Sequence, residues 1–285
     1  MTLLRRIAAR VGRTVLLMLI AAAGTVLLVR FAPGYFSDDR EMDARYAQVA
    51  RSEIGAEIDR ERSVRQIAIR EARGWLKGDF GESRQFHTPV ADLVAARVRV
   101  SGLLLAQGIG FGWLLALSTV VPVSCLRRGG FLLGLPFTIL LAVPVTAMAT
   151  ACILAEAGGP VLVLSLLISA REFKFLRATL DRGWRTPHLL QGRVQGLTWG
   201  SLVKIHILPT VAPQLWSLLT LSVVTALGAM IPVEVIFNVP GVGQLAWSAV
   251  MNRDLPVLVS VSLLMACVVG LAAMLSNHDS TLEAL

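Results

Sequence analysis

Hydrophobic residues in this chain gather in long uncharged blocks, and the charged residues collect between them. Six blocks stand out: Val15–Val29, Leu103–Val121, Phe131–Leu154, Gly158–Ala170, Val211–Val233 and Leu255–Leu275. They run near or above the roughly 20 residues an α-helix needs to cross a hydrocarbon core. The first and fourth are short when counted strictly, so their boundaries are soft. Inside a bilayer each segment must satisfy its own backbone hydrogen bonds, and these blocks lack the alternation of a membrane barrel. The pattern therefore predicts an all-α, polytopic membrane protein with about six transmembrane helices. Residues 1–32 hold the N-terminus and first span, residues 33–98 a connecting loop, and residues 99–285 a five-helix core with a polar segment at 171–209. Within the loop, Val90, Leu93, Val94 and Val98 recur near helical spacing, predicting an amphipathic helix on the membrane surface before span two. Residues 38–71 mix both charge signs with few large apolar residues and read as a solvated helix or partly ordered loop.

Composition agrees with the pattern. The chain has 285 residues, 55% hydrophobic and 16% charged, with a mean hydropathy of +0.66; soluble domains carry about a quarter charged residues. The first block follows a basic head and ends in small residues, Ala21–Gly24, as a signal peptide does. Five more blocks follow it, so a retained first helix is the reading.

The placement of Lys and Arg sets the orientation. Arg5, Arg6, Arg10 and Arg13 precede span one, and Arg127 and Arg128 lie between spans two and three. Between spans four and five stand Arg171, Lys174, Arg177, Arg182, Arg185, Arg193 and Lys204, against only Glu172 and Asp181. With six spans these segments share one side, which makes that side and both termini cytoplasmic. The net charge of +8 and pI near 10.4 are thereby explained by topology, and the expected partner is the lipid bilayer, with no nucleic acid. Cys125, Cys152 and Cys267 lie in or beside apolar blocks at unrelated spacings and read as buried thiols.

Span interiors hold almost no ionisable residues. Arg30 and Glu234 fall at span ends, where snorkelling to the interface accounts for them. An ion-coupled carrier would show an acid or a His at mid-membrane. There is no H-E-x-x-H, no G-x-S-x-G and no phosphate-binding loop, and His87, His188, His206 and His278 are scattered. An enzyme is not expected, and no cofactor is expected; ATP, if used, belongs on another chain. Gly108 to Gly112, "GIGFG", reads as small residues that let helices approach closely.

Four stretches remain: "RFAPG" at 30–34, "GDFGES" at 78–83, "QGRVQGLTWGSLVKIHILP" at 191–209, and "VEVIFNVPGVGQLAWSAVMNRDLPVL" at 233–258. The third would be two short helices crosswise at the inner face, and the fourth an outer turn or re-entrant hairpin. Together they resemble the permease subunit of dipeptide, oligopeptide and nickel ABC importers, a type I importer permease. The family's first span ends in a Leu-Ala-Pro-Gly-like element, and its Gly-Asp-Leu-Gly-x-Ser element is matched by Gly78, Asp79, Gly81 and Ser83. Its E-x-x-F-x-x-P-G-x-G and R-D-x-P-V elements are matched by Glu234, Phe237, Pro240, Gly241, Gly243, Arg253, Asp254, Pro256 and Val257. The family's cytoplasmic coupling motif is Glu-Ala-Ala, a later Gly, then Ile-x-Leu-Pro. It places the Gly on Gly196 and its ending on Leu208 and Pro209, with His206 at the Ile position and Arg193 kept in type. The front half departs, since Leu190, Gln191 and Gly192 stand where Glu-Ala-Ala would be.

The resemblance implies an inner-membrane permease forming half of a translocation pathway for peptides or a related small solute. It also implies a second homologous permease, two cytoplasmic ATPase subunits and an extracytoplasmic substrate-binding protein. The binding protein would meet the outer elements, and an ATPase would meet 187–196. Two other readings stay open: a degenerate, non-transporting permease-like scaffold, favoured by the altered Glu-Ala-Ala segment, and a self-contained secondary carrier.

Overall fold

A computed structural model describes residues 2–31, 74, 80–125, 130–183, 201, 208–252 and 254–276. Among these described residues eight helices follow one another: α1 (Thr2–Phe31), α2 (Val90–Cys125), α3 (Gly130–Ala142), α4 (Val145–Leu154), α5 (Pro160–Gly183), α6 (Leu208–Ile236), α7 (Val242–Met251) and α8 (Leu255–Ser276). Among the described residues there is no strand, only an isolated bridge between Glu82 and Pro89. All six predicted spans fall on helices. By length and composition α2, α6 and α8 can each cross a membrane, and α3 with α4 makes a fourth candidate. The apolar part of α1 is shorter, Gly12–Thr25, and α5 joins an apolar first half to a charged second half.

Two elements differ from the sequence expectation. The block Phe131–Leu154 is broken into α3 and α4, which bend by 102° at Val143–Pro144. Proline has no N–H to donate and pushes its predecessor out of the helical region; Pro144 sits extended, at φ −59° and ψ 141°, immediately before α4. The expected surface helix at Val90–Val98 is instead continuous with span two, giving a single helix of 36 residues. No proline interrupts it before Pro122, so propagation outweighs the change in polarity.

The chain forms two compact units. The first comprises Met1–Val98 with Leu245–Gly270. Here Thr25 Oγ1 lies 3.0 Å from Ser262 Oγ, and a Cβ placed on Gly270 would meet the Thr14 side chain. An apolar cavity of about 550 Å³ opens beside Val15, Met18, Val94, Leu263 and Cys267. Cys267 is half-buried, as is Cys152 in the other unit.

The second unit comprises Arg99–Gln244 with Leu271–Leu285. Its centre is α5, packed against α3, α4 and α6. One apolar cluster joins Leu104, Met148, Ala149, Val163, Leu164, Ala229 and Val233; another joins Ala116, Val120, Val123, Phe173, Leu176 and Leu218. The Phe137 and Phe173 rings stack with centroids 4.4 Å apart. The glycine cluster has the predicted use. A Cβ on Gly108 would lie 2.8 Å from Leu164 Cβ, and one on Gly112 would lie 2.8 Å from Ile168 Cβ. Four residues apart, they form a flat strip on α2 that admits α5. Along α2 the large residues Leu103, Phe111, Leu114 and Val121 are more than half exposed. A strip of that size suits lipid tails or another apolar chain.

Candidate functional site

Each unit holds one buried acid built into a corner, and both acids belong to the sequence-predicted set. In the second unit the corner follows α6. Asn238 adopts φ +52°; its N–H bonds the Val235 carbonyl at 3.2 Å, and the Val239 N–H bonds the Glu234 carbonyl at 2.8 Å. That pair of bonds is a Schellman ending, with Asn in the left-handed position asparagine tolerates. Pro240 then heads a tight reversal, with the Gly241 N–H 2.7 Å from the Val239 carbonyl. The chain turns back on itself and starts α7.

The start of α7 is held by the residue that ended α6. Glu234 is fully buried. Its Oε2 accepts the Gly243 N–H at 2.7 Å and the Gln244 N–H at 3.2 Å, and its Oε1 accepts the Ser101 hydroxyl at 2.6 Å. Ser101 Oγ in turn accepts the Val242 N–H at 2.7 Å. Three of the four N–H groups that a helix leaves unpaired at its start are thereby satisfied. The carboxylate also sits at the positive end of the helix dipole. Both glycines are required by this closeness. A Cβ on Gly241 would fall on the Glu234 carboxylate, and one on Gly243 would lie 2.8 Å from Ile231 Cα. Gln244 Nε2 reaches Asn238 Oδ1 at 2.6 Å, closing the outside of the turn. Phe237 is half-buried against the cluster around Leu104 and Val233, while Pro240 is exposed. Glu234 is thus no interfacial snorkelling residue. With three donors converging on it, burial is the cheaper state.

In the first unit Asp254 plays the matching part. It is fully buried and precedes α8, and its carbonyl accepts the first helical bond, from the Leu258 N–H at 3.0 Å. Its Oδ2 accepts the Ser83 hydroxyl at 2.5 Å and the Gln85 N–H at 3.2 Å. Ser83 Oγ accepts the Phe86 N–H at 3.0 Å, and the Ser248 hydroxyl donates to Gln85 Oε1 at 2.9 Å. The loop carrying Ser83 is itself a small closed turn. The Ser83 N–H bonds the Thr88 carbonyl at 2.9 Å, and the Val90 N–H bonds the Gly81 carbonyl at 3.0 Å. Gly81 has φ +75°, a conformation glycine adopts without steric cost. The "GDFGES" and "RDLP" elements, 171 residues apart at Ser83 and Asp254, therefore meet in one hydrogen-bonded clasp.

Of the remaining predicted residues, Leu208 and Pro209 open α6 and are exposed. Gly78, Asp79, Leu190, Gln191, Gly192, Arg193, Gly196, His206 and Arg253 lie outside the described residues.

Sequence reasoning passed over Glu172. It counts as part of the basic segment when read by hydropathy, yet α5 continues to Gly183 and Glu172 is fully buried. Ser222 Oγ on α6 lies 2.8 Å from Glu172 Oε1 and 3.0 Å from the Leu218 carbonyl, and it accepts the Trp113 indole N–H from α2 at 2.9 Å. Among the described residues Glu172 Oε2 has no hydrogen-bond partner. The signal was present in the sequence. Ser165, Ile168, Glu172, Leu176 and Thr179 follow one another at three- and four-residue steps, and all five are buried. Glu172 lies on that stripe.

Comparison with known proteins bears on these corners. Residues 104–277 match the family model described as binding-protein-dependent transport system inner membrane component. A provisionally named peptide permease of Brucella ovis is 27% identical over 273 residues, covering 83% of this chain and 81% of the relative. The oligopeptide transport system permease protein OppB of Escherichia coli K12 is 25% identical over 265 residues, covering 83% and 84%. A shorter match, 26% over 107 residues and 38% of this chain, is to the metal-staphylopine import system permease CntB of Staphylococcus aureus.

Proposed function

Because the chain belongs to the family of binding-protein-dependent transport system inner membrane components, we propose that it forms half of a translocation pathway for peptides. It is a membrane permease subunit of an ABC importer, and ATP is hydrolysed on separate chains. The finer assignments follow from the relatives and the corners together. Two of the relatives are named as peptide permeases, and each aligns with more than four-fifths of this chain. The partners we assign are a second homologous permease, two cytoplasmic ATPase subunits and an extracytoplasmic binding protein, with both termini on the ATPase side.

The observation that carries this reading is the Glu234 corner. A polar turn fixed by a buried acid, two sterically required glycines and a Schellman ending has its shape set before any partner arrives. Such preorganisation is what a docking surface needs, because an ordered surface gives up little entropy on binding. The corner around Phe237–Gln244 and the clasp at Gly81–Pro89 are assigned to the side where the loaded binding protein arrives. Binding there shifts the permease between inward- and outward-open states only through its differential affinity for the two. Segment 187–196 is assigned to an ATPase groove, with α5 and α6 leading into and out of the segment that contains it.

The test is purification of the tagged chain in mild detergent, with identification of co-purifying proteins and an assay of nucleotide hydrolysis with and without the binding protein. The expected result is two ATPase chains and hydrolysis stimulated by loaded binding protein. Repeated recovery of the chain alone, or uptake by the chain alone under an ion gradient, overturns the assignment. The altered segment Leu190–Gly192 keeps the scaffold reading in play; hydrolysis by the assembled complex that never rises with binding protein would select it.

A further inference from the structure

Ser222 has one proton and faces two acceptors. Its hydroxyl lies 3.0 Å from the Leu218 carbonyl and 2.8 Å from Glu172 Oε1, while the Trp113 N–H already occupies one of its lone pairs. If Glu172 were a carboxylate, both contacts would call on the same hydroxyl proton, and the second carboxylate oxygen would sit fully buried with no donor among the described residues. A buried charge in that condition is among the costliest arrangements a protein can hold. With a proton on Oε1 the count closes. Glu172 donates to Ser222, Trp113 donates to Ser222, and Ser222 donates to the Leu218 carbonyl, using both lone pairs and the single proton of the hydroxyl. Oε2 is then a neutral carbonyl oxygen, for which the lack of a donor costs far less.

We propose that Glu172 is a proton-binding site, occupied at neutral pH, and that its carboxylic acid ties α2, α5 and α6 together through Ser222. Among the described residues, α4 carries only Cys152 as a titratable side chain. α3 and α6 near the site carry none, and on α6 the nearest is Glu234, twelve residues beyond Ser222. On α2, Asp92, Arg97 and Arg99 lie at the far start of the helix. On α5 itself the neighbours are Arg171, set over the Phe175 ring at 5.8 Å, then Lys174, Arg177, Asp181 and Arg182. The occupant is a proton and not a metal ion: only one carboxylate and one hydroxyl converge, and among the described residues no set of three His, Cys, Asp or Glu could hold a metal. Two of the three helices joined, α5 and α6, are the ones that precede and follow residues 184–207 in the chain, so loss of the proton loosens the packing of the helices that flank that segment.

The experiment is infrared spectroscopy of the purified full-length chain in lipid, in water and in deuterium oxide, comparing wild type with Glu172→Gln. The expected result is a protonated-carboxyl carbonyl band at neutral pH that shifts on deuteration and is missing from Glu172→Gln. Ser222→Ala, which keeps the acid but removes its acceptor, should move the band to higher frequency without abolishing it. The thermal stability of the wild type should fall as pH rises from the ordinary carboxyl range through neutrality, because over that window the fold holds a proton that the unfolded chain has already released. Glu172→Gln, a mimic of the neutral acid, should lose that fall. A neutral-pH spectrum with no band assignable to Glu172, or a fall from the carboxyl range through neutrality retained undiminished in Glu172→Gln, overturns the proposal. Neither readout needs an ATPase or a binding protein, so the outcome stands apart from the transport assignment.

Discussion

Replacing Glu234 with alanine removes the acceptor shared by the Gly243 and Gln244 N–H groups and by the Ser101 hydroxyl. Ser101 can rotate toward another acceptor, but the two amides cannot, because they are fixed in the first turn of α7. Each buried donor left without a partner costs about 1–3 kcal/mol. The helix start also loses an anion worth roughly 0.3–1 kcal/mol. Water entering the vacated volume recovers part of this, leaving about 3 kcal/mol of local destabilisation. At 1.4 kcal/mol per tenfold change, the amides of Gly243 and Gln244 should then exchange with solvent roughly a hundredfold faster. Hydrogen–deuterium exchange on the purified chain reads this directly, with amides in the middle of α6 as the internal reference. Glu234→Gln keeps the volume and one acceptor but places an amide donor among donors, so its effect should be intermediate. A change of less than about threefold at both amides in Glu234→Ala would show that something other than the carboxylate holds the start of α7.

Other consequences are as direct. Gly243→Ala should lower stability by about 1–3 kcal/mol, the usual range for overpacking, because the added Cβ meets the Ile231 backbone and not a movable side chain; a thermal melt of the detergent-solubilised chain checks it. Ser83→Ala should cost about 1 kcal/mol and increase protease cleavage within residues 81–89, since the clasp to Asp254 would be lost; unchanged cleavage would contradict the clasp. Gly112→Leu should separate α2 from α5 and lower the melting temperature more than Gly110→Leu, because Gly110 has nothing within 4 Å of its Cβ position. Gly196→Pro and a charge at Leu190 should each uncouple hydrolysis from uptake while the protein stays in the membrane; full uptake in both would place the ATPase contact elsewhere.

Hydropathy made the helices legible, because a bilayer demands long uncharged runs with self-satisfied backbones. It left two features unread. The bend before Pro144 is invisible to an average over apolarity, since proline breaks a helix through its missing N–H and not through its polarity. Glu172 was lost the same way. The apolar run ends at Ala170, but the buried stripe continues through Glu172, Leu176 and Thr179 while Lys174, Asp181 and Arg182 stay exposed. Periodicity follows a helix face past the point where mean composition changes. For the corners the sequence was better on identity than on role. The motif puts Glu234, Gly241 and Gly243 in one set, yet a place at a span end alone reads Glu234 as an interfacial residue. The cue was a helix start with small residues and bare N–H groups one turn after an acid, which is what an anion-capped helix needs.

Glu234 closes α6 with its backbone carbonyl and opens α7 with its carboxylate. That has a consequence for biosynthesis, in which the chain is delivered from the N-terminus onward. The remaining piece of the corner, Ser101, precedes Glu234 by 133 residues. It has therefore left the ribosome well before Glu234 is made. The corner can snap shut as soon as Gln244 emerges, so that the start of α7 is fastened without waiting for α8 to leave the ribosome.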